Sequence, residues 1–171
     1  TGGTSDWLLK NLSPFKNAAE KAYPLYIARD GTVSQNRQPI TMAPSLIRGE
    51  TNKSTYVAFG TGKYLELADK SSLNKQSVYA VFDHDADATP DQTITDVTAQ
   101  SAIRGRDRLK MGTVDTNNGV VAVDPFTWGR PTPNDLTGIA ERAGWHFDFP
   151  FSGERQVSNA KSEGDNLLFS S

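Results

Sequence analysis

Between Thr55 and Phe82 the chain carries two strand-length apolar runs, Tyr56-Val57-Ala58-Phe59 and Ser77-Val78-Tyr79-Ala80-Val81-Phe82. The first stops at Gly60-Thr61-Gly62 and resumes with Lys63-Tyr64-Leu65-Glu66. Aromatic and β-branched residues at this density specify strands. Gly60 and Gly62 allow a positive φ or the close approach of another backbone, as a strand ending in a tight bend requires. Two strands joined around such a bend form a piece of antiparallel sheet, and much of the chain repeats the theme.

Upstream, Ser13-Pro14 has the N-cap and first-turn signature of a helix. Phe15, Ala18, Ala19 and Ala22 follow at helical spacing, and Pro24 ends the element. Leu25 to Ala28 reads as a brief strand closed by the turn dipeptide Asp30-Gly31. The section from Gln38 to Ile47 is strand-like, but Pro39 and Pro44 cannot donate to a ladder, so it suits a peripheral or bulged strand. A polar loop over Arg48 to Ser54 makes a hairpin with Thr55 to Phe59, Ser77 to Phe82 is the third strand, and Thr93 to Val97 is a half-exposed fourth.

Beyond Ala99 the pattern weakens. Arg104 to Lys110 is charged, Val120 to Val123 reads as a short buried strand after Asn117-Asn118-Gly119, and Pro125, Pro131 and Pro133 mark an irregular crossing. Leu136 to Ala143 reads as a helical turn or two stopped by Gly144. Then Trp145, Phe147 and Phe149 alternate with His146 and Asp148, which predicts a half-buried strand with its aromatic face inward. Gln156 to Asn159, a loop over Lys161 to Asn166 and a strand over Leu167 to Ser171 repeat the hairpin of residues 44–60.

Short strands with glycine at their bends suggest the blades of an all-β propeller. A blade of this kind has about four strands and roughly 45 residues. The expectation is therefore a partial propeller of about three quinoprotein-like blades with short helical insertions. Residues 1–37 would form a blade end with a helical insertion, 38–98 the best-defined blade, 99–143 an irregular blade or insertion, and 144–171 the start of the next. Thr1 reads as an internal cut and the last strand as one interrupted in mid-blade, hence a fragment of a single larger C-terminal domain.

Composition narrows the function classes. A net charge of -2 gives no electrostatic reason to expect nucleic acid. With no cysteine in the chain, neither a disulfide framework nor a thiolate zinc site is possible. No apolar run approaches the roughly 20 residues of a spanning helix, so no transmembrane segment is expected.

Phe59-Gly60-Thr61-Gly62-Lys63-Tyr64-Leu65-Glu66, then Asp69, then Gln76-Ser77-Val78-Tyr79-Ala80-Val81-Phe82-Asp83, resembles the C-terminal propeller of the PilC/PilY family of type IV pilus tip-associated proteins. Gly144-Trp145-His146-Phe147-Asp148-Phe149-Pro150, Ser152-Gly153-Glu154-Arg155 and Val157-Ser158 resemble that family's next run. The similarity extends from about Gln38 to Ser171, with a poorly matched middle from Ala88 to Gly138. It implies a non-enzymatic propeller portion of a secreted protein at the periplasm, outer membrane and pilus tip of a Gram-negative bacterium. Such a protein would support pilus biogenesis, control of extension and retraction, and adhesion, with minor pilins or other tip components and a host or abiotic surface as partners. Two alternatives share the strand pattern: a quinoprotein dehydrogenase, which would need a calcium-held quinone in its channel, and a scaffold propeller for outer-membrane assembly.

Asp83, Asp85, Asp87 and Asp91 occupy positions 1, 3, 5 and 9 of an acidic loop, a spacing from which carboxylates can converge on calcium. Ala88 at position 6, Pro90 at position 8 and Ile94 at position 12 depart from the calcium-loop pattern, and these departures favour a solvated acidic loop. Calcium is the only cofactor expected, and no organic one. Gly60-Thr61-Gly62-Lys63-Tyr64 lacks the spacing and the hydroxyl of a phosphate loop. Arg104-Gly105-Arg106-Asp107 reads as a solvated turn. His84 and His146 read as exposed, with no nucleophilic serine paired to either, so no catalytic residue is assigned.

Overall fold

A computed structural model of the chain describes residues 25–31, 37–48, 55–83, 106, 109–128, 142–163, 166–168 and 170–171. The helix expected over 13–22, the strand over 93–97 and most of the turn over 136–143 lie outside the described residues.

The principal sheet has five strands: β1 (Ser45–Arg48), β2 (Thr55–Gly60), β3 (Ser77–Asp83), β4 (Lys110–Met111) and β7 (Gly144–Asp148), in the order β1-β2-β3-β7-β4. Each neighbouring pair among the first four in that order is antiparallel, whereas β4 runs parallel to β7. Thr55 pairs with Asp83 and Gly60 with Val78, which fixes the register of the two runs that define the chain. β1 is an edge strand, in keeping with the prolines that precede it. Gly144–Asp148, expected to open a further blade, instead pairs with β3, with Ser77 opposite Asp148. The strand next to Ser77–Phe82 thus comes from more than sixty residues downstream rather than from Thr93–Val97.

β3 is paired along both edges, and core clusters cover both of its faces, which explains its nearly unbroken apolar sequence. Tyr79 and Val81 pack with Tyr26, Ala28, Phe59, Leu109 and Ala143 on one face. Val78 packs with Phe147 and Phe149 on the other, against Val114 and Trp145. The tilted Tyr26–Tyr79 pair, with ring centres 5.2 Å apart, and the stacked Phe59–Tyr79 pair at 5.4 Å tie β2, β3 and the 25–31 segment together.

Two hairpins flank this sheet. β5 (Thr113–Asp115) and β6 (Val120–Ala122) form one, turned by Gly119 at φ 72 and by the Asp115 carboxylate accepting the Asn117 N–H. Val120 and Val121 were expected to be buried and are exposed: they lie in a two-stranded ladder, on opposite faces of it, and neither belongs to either core cluster. β8 (Lys161–Glu163) and β9 (Asn166–Leu168) form the other. Lys161 to Glu163, expected in a loop, is therefore strand.

Candidate functional site

The Gly-Thr-Gly bend is closed by backbone and side chain together. The Thr61 N–H donates to the Ser77 carbonyl at 2.8 Å, and the Thr61 hydroxyl accepts the Ser77 N–H at 2.8 Å. The Gly62 N–H donates to the Pro39 carbonyl at 2.8 Å. The Thr61 and Gly62 N–H groups are thereby spent within the fold, in keeping with the missing spacing and hydroxyl of a phosphate loop. Gly62 has φ 143, and a Cβ there would lie 2.5 Å from the Cβ of Arg155.

Arg155 is the clamp. Its guanidinium donates to the carbonyls of Lys63 (2.9 Å), Asp69 (2.7 Å), Ser72 (2.6 Å) and Gly153 (2.8 Å), and lies 5.8 Å from the centre of the Tyr64 ring. The loop it holds is braced from within by Asp69. One oxygen of that carboxylate accepts the N–H groups of Leu65 and Glu66, both at 2.8 Å. The Glu66 N–H, with Leu65 and Lys63 adding to it against the effect of burial, holds the Asp69 carboxyl below the usual carboxylate range. Arg155→Met keeps the stem but leaves these carbonyls without their donor. It should lower stability by about 3 kcal/mol, read as a melting temperature lower by roughly 6 °C or more.

A second polar cluster crosses the sheet. Arg106 pairs with Asp148 at 2.9 Å and donates to the Ser77 hydroxyl at 2.6 Å and the Tyr79 hydroxyl at 2.7 Å. Ser77 donates to Asp148 at 2.6 Å and accepts from the Gln38 amide at 2.8 Å. The Tyr79 hydroxyl lies 2.5 Å from Gln38 Oε1 and 2.8 Å from the Arg29 carbonyl, two acceptors for its single proton. Burial pushes the Asp148 carboxyl up, but Ser77, Arg106 and Lys75 together outweigh it and keep the group below its ordinary range. Burial raises the Tyr79 phenol, with Arg106 opposing. The Ser77 hydroxyl is fully engaged: it accepts from Gln38 and Arg106 and gives its proton to Asp148, whose carboxyl is held below its ordinary range, which makes Asp148 a weak base.

His146, expected on an exposed face, is buried. Its ring stacks on Tyr79 with centres 5.8 Å apart. The cause is the cover on both faces of β7: its polar-looking side faces the Tyr79 core, not water. Burial first, and Arg106 second, lower the His146 pKa from 6.5 to about 4. In the unfolded chain the imidazole takes a proton as pH falls through 6.5, while in the fold it stays neutral to about 4. Stability is therefore fully present above pH 6.5 and declines as pH falls toward 4, by up to about 1.4 kcal/mol per pH unit. His146→Phe should flatten the urea-midpoint profile across this window.

A cleft of about 220 Å³ lies between these clusters, lined in part by Arg37, Gln38, Lys63, Asp69, Lys75, Gln76 and Arg155. Of the proposed calcium set, Asp83 ends β3 opposite Thr55, and Asp85, Asp87 and Asp91 lie outside the described residues. Among the described residues no group of three or more His, Asp or Glu side chains is placed to hold a metal. Arg106, read within a solvated turn, has a side chain only 9% exposed. The acidic residue two positions after His146 was the available signal for it, since a carboxylate on a buried strand needs a cation.

The two runs that carry the family resemblance are the ones that Arg155 brings into contact. Residues 10–118 match the family model of the PilY1 beta-propeller domain. The type IV pilus biogenesis factor PilY1 of Pseudomonas aeruginosa strain PAK is 34% identical over 137 residues, covering 76% of this chain and 11% of the relative. Its counterpart in strain UCBPP-PA14 is 28% identical over 160 residues, covering 85% of this chain and 13% of the relative. The crystal structure of the Pseudomonas aeruginosa PilY1 C-terminal domain is similar at a TM-score of 0.62 and 29% identity, over 86% of this chain and 31% of that one. This chain thus spans only a small part of the relatives it matches. Its strands, its bend and its sequence place it in one family: the chain belongs to the PilY1 β-propeller domains.

Proposed function

We propose that the chain is a non-catalytic part of the propeller of a type IV pilus biogenesis protein, acting through protein contacts. In this reading it supports pilus assembly, extension and retraction at the outer membrane and cell surface of a Gram-negative bacterium, and attachment to host or abiotic surfaces. Minor pilins or other tip components are its partners. β1, β2, β3 and β7 make one blade with an insertion between its third and fourth strands, and β8–β9 begins the next. The observation that carries the reading is the Arg155 clamp. The runs shared with the family lock against each other through the Arg155 guanidinium and the carbonyls of Lys63, Asp69 and Ser72, as the parts of a scaffold do.

The test is Arg155→Met in the full-length protein, in a bacterium lacking its own copy. Surface pili recovered by shearing and counted by electron microscopy should fall well below the parent level at equal expression. Normal piliation with a blade shown to be destabilised would contradict the proposal, as would quinone-dependent alcohol oxidation by the parent protein. The acidic run from Asp83 to Asp91 is decided by calorimetry with millimolar calcium. Heat that disappears in Asp85→Ala, Asp87→Ala assigns a bound ion, and no heat in the parent assigns a solvated loop.

A further inference from the structure

The cleft beside Gln76 holds polar capacity that the fold does not use. Gln76 is 6% exposed, and its Oε1 is buried without a hydrogen-bond partner. Its neighbour Gln38 cannot supply one: the Gln38 amide already donates to the Lys75 carbonyl at 3.0 Å and to Ser77 at 2.8 Å. A buried acceptor left unpaired is unfavourable, so a donor arriving there is favoured.

The cations around the same cleft are also in excess. Lys75 lies 3.3 Å from Asp148, but that carboxylate is already paired with Arg106. Among the described residues the Arg37 guanidinium meets no carboxylate. By contrast, Lys63 is balanced by Glu66 and Asp69, and Arg155 is spent on carbonyls. Asp30 on the lining returns one negative charge, which leaves the Arg37 and Lys75 side net positive.

An occupant that satisfies both features offers an N–H donor together with a carboxylate, as an aspartate or glutamate within a peptide does. At about 220 Å³ the cleft is smaller than the roughly 300–1,000 Å³ of organic-ligand pockets. It admits a residue or two at the tip of a loop. We propose that this cleft docks an acidic peptide loop of a partner protein, with its carboxylate between Lys75 and Arg37 and its backbone N–H on Gln76 Oε1. The proposal goes beyond the scaffold role and stands on different residues from the Arg155 clamp.

The test uses the full chain and a fluorescein-labelled acetyl-Asp-Glu-Asp-Glu amide, read by fluorescence polarisation at low salt. Saturable binding is expected, with none for the Asn-Gln-Asn-Gln peptide. Lys75→Met and Arg37→Met should each weaken it about 5-fold, and so should Gln76→Met, which keeps the volume and removes the acceptor. Should Gln76→Met fail to fold by thermal melt, Gln76→Glu replaces it and should abolish binding by repulsion. No saturable binding overturns the proposal. So does binding indifferent to Gln76, which would mark diffuse charge attraction, and so does competition by glutarate, which has no N–H, as strong as the peptide's own, which would mark a free-carboxylate site.

Discussion

Gly144→Ala should be among the most damaging single substitutions in the described sheet. Gly144 sits in β7 opposite Val81 with φ 145, a conformation that side chains other than glycine's rarely adopt. A Cβ there would fall on the Ala80 carbonyl oxygen, 3.0 Å from the carbon of that carbonyl and 3.1 Å from the Val81 Cα. All three atoms are backbone of the central strand, which β2 and β7 grip from either side. No side chain can swing away, so β7 must separate from β3 or the residue must be strained. Strain alone costs about 1–3 kcal/mol, and the lost ladder with its Phe147 packing adds to it, for a total of at least about 4 kcal/mol. Against a typical domain stability of about 5–15 kcal/mol, urea denaturation should show a collapse of the midpoint. Gly119→Ala provides the contrast: it also has positive φ, but a Cβ there meets nothing within 4 Å. Its cost should stay near 1 kcal/mol.

Asp148→Ala is expected to follow closely. The Arg106 side chain is 9% exposed, and Asp148 is its carboxylate partner at 2.9 Å. Truncation strands the guanidinium in the sheet's interior and takes the acceptor from the Ser77 hydroxyl at 2.6 Å. Breaking a buried pair from one side costs about 3–5 kcal/mol, chiefly the penalty of the uncompensated charge. The diagnostic is the second substitution. Adding Arg106→Met to Asp148→Ala should restore part of the lost stability, because both charges are then gone. A double variant less stable than Asp148→Ala by the full effect of Arg106→Met would show that the two side chains act independently.

The strands around Val57, Tyr79 and Phe147 were legible because each is an apolar run of strand formers bounded by glycine, proline or polar residues. Which strand lies beside β3 was not. Ser77 and Asp148 are 71 positions apart, and local pattern holds no information about a partner that distant. The same gap explains His146. Alternation along β7 identified two faces correctly, yet whether the second meets water depends on Tyr26, Tyr79 and Leu109 arriving from elsewhere. Val120 and Val121 fail in the opposite sense, since an apolar residue in a two-stranded ladder is buried only where another layer covers its own face. Arg155 was visible as part of the run resembling the family, and its role as a clamp depended on the carbonyls of Lys63, Asp69 and Ser72 converging on it. The Gln76 acceptor carried no sequence signal at all, because an unpaired oxygen is a property of the packed neighbours.

The bend at Gly60 and the run at Arg155-Gln156 form one interlock, and a double-mutant cycle tests it. A Cβ at Gly60 would press on the Gln156 side chain, 2.8 Å from its Cβ and 2.9 Å from its Cδ, while Gly60 is not among the positive-φ glycines. Gly60→Ala should therefore destabilise the parent by about 2 kcal/mol. In a Gln156→Gly background the cost should nearly vanish, which corresponds to a coupling of at least about 1 kcal/mol by urea unfolding. Additive effects within about 0.3 kcal/mol would contradict the interlock and, with it, the scaffold reading of the motif.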